Sequence, residues 1–547
     1  MEFYQQFVKE AYDENAVLTE FTIQPPKHFN FGYDGVDALA EKEPEKVCMV
    51  WCDQEERERF FTFAEMSRLS NQAANVFRAH GIGKGDHVML MLKRNYEYWY
   101  IIVALHKLGA VAIPATHTLM AADIDYRVKA VDVKAVVVTA DNSDGPKELN
   151  KCNPDGVEKF LIRGQMPGYV DLNAEIESAS SDFDRVETLA TEPMLLYFTS
   201  GTTGEPKAVM HDHTYALCHI LTAKHWQNVR KDGLHLSVSD TGWGKAAWGK
   251  LYGQWLCEAP IMVYDYDQFD PRALMDVIMK YKVTTFCAPP TIYRFFVKRG
   301  ITPGAFDSVQ DVVTAGEAMN PEIARRFEAE TGLKLREGFG QTESTLMIAD
   351  LVGQPHHLGT MGRPTPLYHV ELRKEDGTVA APGETGEIVV VPPADGTHFG
   401  VFMGYCGDQA AYDEVWEGGV YHTRDLAIMD ENGYITYVSR TDDVIKSCGF
   451  RVSPFEVESV LMQHPAVLEC AVTGVPDPGR GFRIKATIVL TDGYVGNGNL
   501  SRELQQFVLQ NTASYKCPKI FEYVAEMPKT ISGKIRRVAI REKDSKQ

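Results

Sequence analysis

The sequence predicts an α/β fold. A large N-terminal body of mostly parallel, helix-flanked sheet is followed by a β-rich subdomain and a small α+β domain. Three observations predict it. The chain has 547 residues, and single hydrophobic cores stop growing at roughly 250–300, so more than one domain is expected. Short continuous runs of Val, Ile and Leu alternate with helix-like stretches, the pattern of strands buried on both faces. The texture then changes twice, near residue 381 and again near residue 440.

The buried strands are, in order, HVMLML (87–92), KAVVVTA (134–140), MLLYF (194–198), IMVYDY (261–266) and DVVTAG (311–316). The longest apolar stretch, YWYIIVALHKLGAVAIPA, is interrupted by His106 and Lys107. It reads as a buried helix and strand, not as a membrane span of about 20 apolar residues. Between Ala381 and Ile435, GEIVVV and GYITYV are separated by Gly, Pro and Asp, which predicts a β-rich subdomain at about 365–440. The boundary falls at SRTDDVIK, giving domains 1–440 and 441–547 joined by a short hinge. SPFEVESVLMQH opens with a capping-box signature, Ser453 and Glu456, with Pro454 at the first helical position. Val457, Val460 and Leu461 share one helical face. ECAVTGV and IKATIVL then read as strands, SRELQQFVLQN as a helix and KIFEYVAEM as a strand. About 100 residues of this kind can fold alone.

Composition excludes some function classes. Hydrophobic residues make up 44% and charged residues 24%, ordinary for a globular protein. The net charge of −19 argues against non-specific nucleic-acid or membrane binding. It leaves room for a local basic pocket. The start, MEFYQQFVKEAYDEN, lacks the apolar core of a secretory signal. None of the ten cysteines forms a C-x-x-C pair; Cys48 and Cys52 come nearest, with no His/Cys pair following at zinc-finger spacing. Reduced core thiols in a cytoplasmic protein are expected.

Four stretches carry chemistry. TSGTTGEPK (199–207) follows a buried strand. It is not a Walker loop: Pro206 stands where the second Gly belongs, and Ala208 follows Lys207. Gly201 and Gly204 nevertheless allow successive N–H groups to face one concavity. Thr199, Ser200, Thr202 and Thr203 add hydroxyls, and Glu205 and Pro206 complete the turn. The competing reading is a flexible surface turn. In REGFGQTES (336–344), Phe339 between two glycines could lie against a planar base. Thr342 and Glu343 offer a hydroxyl and a carboxylate for a substrate oxygen and Mg²⁺. Taken alone, this is equally an ordinary strand-to-loop turn. In YHTRD (421–425) and SRTDD (439–443), a fixed Asp could accept ribose hydroxyls and Arg440 could pair with phosphate; surface ion pairing is the plainer reading. In PKTISGKIRR (528–537), Lys534 follows Ser532–Gly533 on a loop, and a solvated basic tail is the plainer reading.

In this order, YFTSGTTGEPK, GFGQTE, YHTRD, SRTDDVIKSCGFR and PKTISGK resemble the adenylate-forming (AMP-binding) superfamily of acyl-CoA synthetases, luciferases and amino-acid adenylation domains. The resemblance runs from about residue 40 to 541. SDTGWGKAAWG (239–249) and VPDPGRG (475–481) are similar to the medium-chain acyl-CoA synthetase branch. The resemblance implies two sheets in the body, a mobile C-terminal domain, and ATP, Mg²⁺ and CoA as cofactors. A carboxylate and ATP would give acyl-AMP and pyrophosphate; CoA would then give acyl-CoA and AMP. It also implies residue roles. The 199–207 loop would hold the β- and γ-phosphates. Glu337, Gly338, Phe339, Gly340, Gln341 and Thr342 would border adenine, with Thr342 near the α-phosphate and Glu343 on Mg²⁺. Asp425 would hold the ribose, assisted by Arg440. Lys534 would bridge carboxylate and α-phosphate, a task suited to a mobile point charge. Asp442 matches the hinge. Cys448, Gly449 and Phe450 would line the pantetheine tunnel, and Arg480, Tyr515, Lys516 and Cys517 would contact the CoA nucleotide. Arg451, counted with the nucleotide site, would help close the second domain arrangement.

The chain departs from the family pattern at Arg424, where Gly is usual, and at Ser439. If position 424 is left-handed, Arg424 carries about 1 kcal/mol of strain. Otherwise it adds a positive charge beside the nucleotide. Trp243 is the expected wall of the acyl pocket, with Gly316 and Gly340 as floor and Trp248 in the core. An indole there shortens the tunnel, favouring small, branched or medium-chain carboxylic acids. The expected partners are that acid, ATP and CoA, with no nucleic acid, no membrane insertion, and a homo-oligomer allowed. The rivals are acyl transfer to a carrier protein, a luciferase-like oxygenase and a non-catalytic adenylate sensor. About a dozen residues follow Lys534, so no fused carrier domain is expected. A degenerate sensor would be expected to lose Lys534, Glu343 or Asp425, and all three are present.

Overall fold

The apolar runs form two sheets in the N-terminal body. This is a computed structural model, and it describes residues 2–141, 144–199, 205–447, 450–477, 481–529 and 535–545. One sheet has eight strands. His87–Met91 lies near its centre, parallel to Val111–Pro114 and Val133–Thr139. At one side Pro193–Thr199 joins in parallel, followed by Lys207–Asp212 and Gly404–Tyr405 in antiparallel. The second sheet has nine strands. His235–Ser237, Ile261–Asp265, Thr285–Ala288, Asp311–Thr314 and Leu335–Phe339 form its parallel interior, and antiparallel pairs close both edges.

The helix Glu97–Leu108 is buried at every residue. That explains its near-continuous apolar sequence. Its polar members find partners inside, although His106 Nδ1 has none: His106 Nε2 lies 2.9 Å from the Tyr252 hydroxyl, and Lys107 Nζ reaches Asp37 and Asn71, each at 2.6 Å. Gly109, at φ +68°, ends the helix in the left-handed region that favours glycine. No helix among the described residues is long and apolar enough to cross a membrane. No disulfide occurs among the described cysteines, and seven of the nine are buried.

The β-rich segment is a four-stranded antiparallel sheet of His369–Arg373, Thr385–Val391, Tyr421–Met429 and Ile435–Arg440. The C-terminal part has its own five-stranded sheet and its own core, including Val457, Leu461, Val472, Ile488 and Leu504. Ser453 caps the helix Pro454–Leu461 by accepting the Glu456 N–H at 3.2 Å. The strand read from KIFEYVAEM is only Ile520–Tyr523, because its parallel partner Gly481–Leu490 gives register to four of its residues.

Of the basic run 528–537, residues 530–534 lie outside the described residues, and its last member is not solvated: Arg537 opens the helix Arg537–Ser545 and forks onto the buried Glu458, while Arg541 of the same helix pairs with Asp443 at 2.8 Å. Among the described residues the small domain meets the body at several groups: Lys298 donates to the Val467 carbonyl, Ser453 donates to the Val438 carbonyl at 2.6 Å, and the Tyr437 and Phe455 rings lie 5.7 Å apart. Arg294 lies 3.8 Å from Glu469, Asn320 donates to the Ser459 carbonyl at 3.2 Å, and Arg451 meets Glu375 at 2.7 Å.

Candidate active site

The 199–207 stretch closes a hairpin. Pro193–Thr199 and Lys207–Asp212 are antiparallel, with Thr199 opposite Lys207. A strand follows the loop, not a helix, so Pro206 is no obstacle; its carbonyl accepts from Tyr126 at 2.9 Å. Along a strand, residues two apart share a face, so Lys207, Val209 and His211 line one side. Tyr405 pairs directly with Val209 and joins that face. Lys207 Nζ sits 5.0 Å from the centre of the Tyr405 ring, and the Tyr405 hydroxyl donates to Glu343 Oε1 at 3.0 Å. Burial raises the Glu343 pKa, while Tyr405, Arg440 and Lys207 oppose the rise. A carboxylate so placed favours a cation beside it. Among the described residues no group of three or more His, Cys, Asp or Glu could hold a metal. Glu343 therefore fits Mg²⁺ of the kind that keeps its waters and phosphate ligands and takes few protein oxygens.

The 336–344 stretch begins inside a strand, not in a loop. Glu337 and Gly338 belong to Leu335–Phe339, flanked by neighbours on both sides. The Glu337 carbonyl accepts the Trp226 indole N–H at 3.1 Å. Burial, with the Asp350 charge adding to it, pushes the Glu337 carboxyl up to about 8. Gly340 is forced by close packing: a methyl there would come within 2.3 Å of both the Trp248 ring and the Thr345 carbonyl. Trp248, expected simply as core, is thus also the wall behind Gly340.

Gln341 organises the ribose side. It accepts from the Tyr421 hydroxyl at 2.6 Å and donates to the Thr423 carbonyl at 2.8 Å and to Asp425 Oδ2 at 2.6 Å. Asp425 faces Arg440 across the antiparallel pair, with 3.8 Å between charged atoms. Arg440 also donates to Asp442, the expected hinge residue, at 3.2 Å. Arg424 is left-handed, at φ +60°. Its N–H donates to Glu387 at 2.8 Å and its guanidinium pairs with Glu414. The structure therefore chooses backbone strain for Arg424, with its charge committed to a carboxylate.

Trp243 precedes the helix Gly244–Lys250 and is half-buried. Two contacts fix this segment. A methyl at Gly242 would run into the backbone of Ala115 and Thr116, and Lys245 donates to the Ala315 carbonyl at 2.7 Å. The second contact ties the Trp243 helix to the turn holding Gly316, which has φ +102° and open space where a side chain would start.

On the small domain, Phe450 and Tyr515 stack 4.3 Å apart and both are exposed. Lys516 pairs with Glu456. Cys517 is 1% exposed and packs in the domain core. Arg451 is paired with Glu375, not with the nucleotide-site residues. Ser200, Gly201, Thr202, Thr203, Gly204, Cys448, Gly449, Arg480 and Lys534 lie outside the described residues.

Sequence reasoning missed His211, Tyr405, Tyr421 and Thr423. His211 had a signal, its even spacing from Lys207 along a strand. Tyr405 had none, because its pairing with Val209 spans nearly two hundred positions.

The antiparallel strands flanking the Ser/Thr/Gly-rich loop, the linked Lys207–Tyr405–Glu343 cluster, the Gln341–Asp425–Arg440 cluster and a small domain with its own core fit the class of nucleotide-dependent ligases that activate a substrate as its adenylate. The chain belongs to the AMP-binding enzyme family: that family's profile matches residues 36–406, and the profile of the AMP-binding enzyme C-terminal domain matches residues 456–534. It is similar to the mitochondrial acyl-coenzyme A synthetase ACSM4 of Homo sapiens, 37% identical over 95% of this chain and 91% of the relative. Acyl-coenzyme A synthetase ACSM3, mitochondrial, of Rattus norvegicus is 35% identical over 96% and 92%. Among solved structures it resembles the anthranilate CoA ligase AuaEII in complex with anthranoyl-AMP, with a TM-score of 0.85, 25% identity and coverage of 95% and 98%. It also resembles the Brucella canis acyl-CoA synthetase, with a TM-score of 0.72, 28% identity and coverage of 95% and 94%. The chain is an AMP-forming ligase of the acyl-CoA synthetase type, served by ATP, Mg²⁺ and CoA.

Proposed function

We propose that the protein converts a small, branched or medium-chain carboxylic acid to its CoA thioester in two steps. The observation that carries this reading is the joined cluster Lys207–Tyr405–Glu343, which sets a cation and a carboxylate beside one another at the end of the phosphate hairpin. The acid oxygen attacks the α-phosphorus of ATP and pyrophosphate leaves. The CoA thiol then attacks the acyl carbonyl and AMP leaves. The first step brings two anions together, so positioning and charge neutralisation dominate. Lys207 neutralises phosphate. Glu343 holds Mg²⁺, which supplies further neutralisation when bound. Asp425, held by Gln341, accepts the ribose hydroxyls. Lys534 bridges the acid and the α-phosphate.

Domains 1–440 and 441–547 move as units about Asp442 between the steps. The separate sheet and core of the small domain support this reading. Phe450, Tyr515 and Lys516 then serve CoA, with Cys448, Gly449 and Arg480, and Arg451 exchanges its Glu375 partner. Trp243 and Gly316 bound the acyl pocket. A cytoplasmic site of action belongs to the same reading, although the names of the mammalian relatives say mitochondrial; cell fractionation decides it.

The test is AMP production across a carboxylate panel with CoA present. Butyrate, 2-methylbutyrate, hexanoate or benzoate should turn over faster than palmitate. Palmitate as the best substrate would overturn the pocket assignment. Transfer to a holo-carrier protein in preference to CoA would overturn the thioester step.

A further inference from the structure

Residues 341–344 form a β-turn, closed by the Ser344 N–H donating to the Gln341 carbonyl at 3.3 Å. Its two central residues are Thr342 and Glu343, the pair assigned to the α-phosphate and Mg²⁺. In a β-turn the central peptide can rotate while the ends stay in place; the common turn types differ in that orientation. Here the central carbonyl is that of Thr342. It accepts from His211 Nε2 at 2.7 Å. The next carbonyl, Glu343, accepts the Phe402 N–H at 2.8 Å, and the Glu343 side chain is held by Tyr405.

His211 is built to be immobile. It is 2% exposed and projects from the strand Lys207–Asp212, four residues after Lys207. The Tyr215 ring lies against it, 4.1 Å between centres. Tyr215 in turn meets His219 at 4.5 Å, and His219 meets Trp248 at 5.8 Å, the ring that blocks Gly340. The strand that leaves the phosphate hairpin and the turn that carries Glu343 are thus tied by one imidazole.

We propose that His211 is a positioning residue for the nucleotide reaction: it locks the central peptide of the 341–344 turn and so aims the Thr342 hydroxyl and the Glu343 carboxylate at the Mg²⁺–triphosphate. The proposal rests on the nucleotide-site reading above. It goes beyond it by giving the aim of Glu343 a cause on a different strand. Because a carbonyl only accepts, Nε2 carries the proton, and a glutamine amide is the substitute able to donate from nearly the same place.

The experiment compares His211→Phe and His211→Gln with the wild type by calorimetry, titrating ATP with Mg²⁺ and ATP with EDTA, and follows acyl-AMP formation with the best acid of the panel. His211→Phe should weaken Mg²⁺–ATP binding by about tenfold, the scale of one lost buried hydrogen bond. It should change metal-free ATP binding much less and raise the Mg²⁺ concentration needed for half-maximal adenylation. His211→Gln should return all three most of the way. Three results overturn the proposal: wild-type Mg²⁺ dependence in His211→Phe, equal losses with and without Mg²⁺, or no recovery in His211→Gln. If His211→Phe does not fold, His211→Leu, which likewise cannot donate, takes its place in the same comparison: it should lose Mg²⁺–ATP affinity more than metal-free ATP affinity, and equal losses would overturn the proposal. The two readings fail separately. A wild type that binds Mg²⁺–ATP but adenylates no acid sinks the ligase reading, while the calorimetric comparison still decides the role of His211.

Discussion

The nucleotide side of the body and the CoA-facing side of the small domain are built differently. On the body, Gln341, Glu343 and Asp425, three of the described groups proposed to meet ATP or its Mg²⁺, are held by further groups. Gln341 is fixed by Tyr421, Thr423 and Asp425, and Glu343 by Tyr405. On the small domain the described candidates lie at or near the surface with fewer partners, Tyr515 stacked on Phe450 with the Lys516 ammonium 5.5 Å from its ring centre, Lys516 paired with Glu456 and Arg451 with Glu375. A site that must stabilise developing charge gains from preorganisation. A surface that must exchange partners between two arrangements gains from contacts that are weak individually.

Lys534→Ala gives the largest expected effect. It should slow acyl-AMP formation by about 10²–10³-fold, the scale of one lost electrostatic stabiliser. Thioester formation from supplied acyl-AMP should be spared. Equal loss in both half-reactions would end the division of labour between the two regions. Gln341→Leu comes next. It removes the hydrogen bonds that Gln341 makes to the buried Tyr421 hydroxyl and to Asp425 Oδ2, at about 1–3 kcal/mol, and should raise the KM for ATP about 10- to 100-fold without changing that for CoA.

Glu337 tests the burial of the body by pH. Its carboxyl keeps its proton to about 8 in the folded protein, against 4.5 ordinarily. Between those values the folded state carries the extra proton, so stability falls as pH rises, by at most about 1.4 kcal/mol per pH unit. Denaturant titrations of Glu337→Gln should show a flatter pH profile over that window. Tyr515→Ala should raise the KM for CoA about threefold to tenfold, matching an aromatic stack of about 0.5–1.5 kcal/mol, with melting temperature unchanged. Arg424→Gly is the smallest. It relieves left-handed strain and gives up an exposed ion pair with Glu414. Stability should change by less than about 1 kcal/mol, and a shift in the KM for ATP would show that its charge reaches the nucleotide after all.

The legible parts of the molecule were those carried by local pattern. Buried strands such as His87–Met91 and Asp311–Thr314 announce themselves as apolar runs, and Ser453 announces its helix by chemistry confined to four residues. Two placements share a cause. Arg537 reads as solvated until Glu458, 79 positions away, is brought to it, and the burial of Cys517 beside the exposed Tyr515 follows from the core that closes over it. The sign of φ at Arg424 was equally out of reach, because the backbone there answers to Glu387 on the adjoining strand.

By itself the sequence determined the α/β class and the order of the chemistry-bearing stretches, since each is a short segment with its own pattern; the roles proposed for their residues toward ATP rest on the family resemblance those stretches carry together. Only the tertiary structure decided which groups hold those in place. His211 meets Thr342 across 131 positions, Tyr405 meets Glu343 across 62, and Trp248 fills the space that makes Gly340 obligatory. Hydrogen bonds and close packing act over a few ångströms, and which residues come that near is set by sheet register and helix packing, not by distance along the chain.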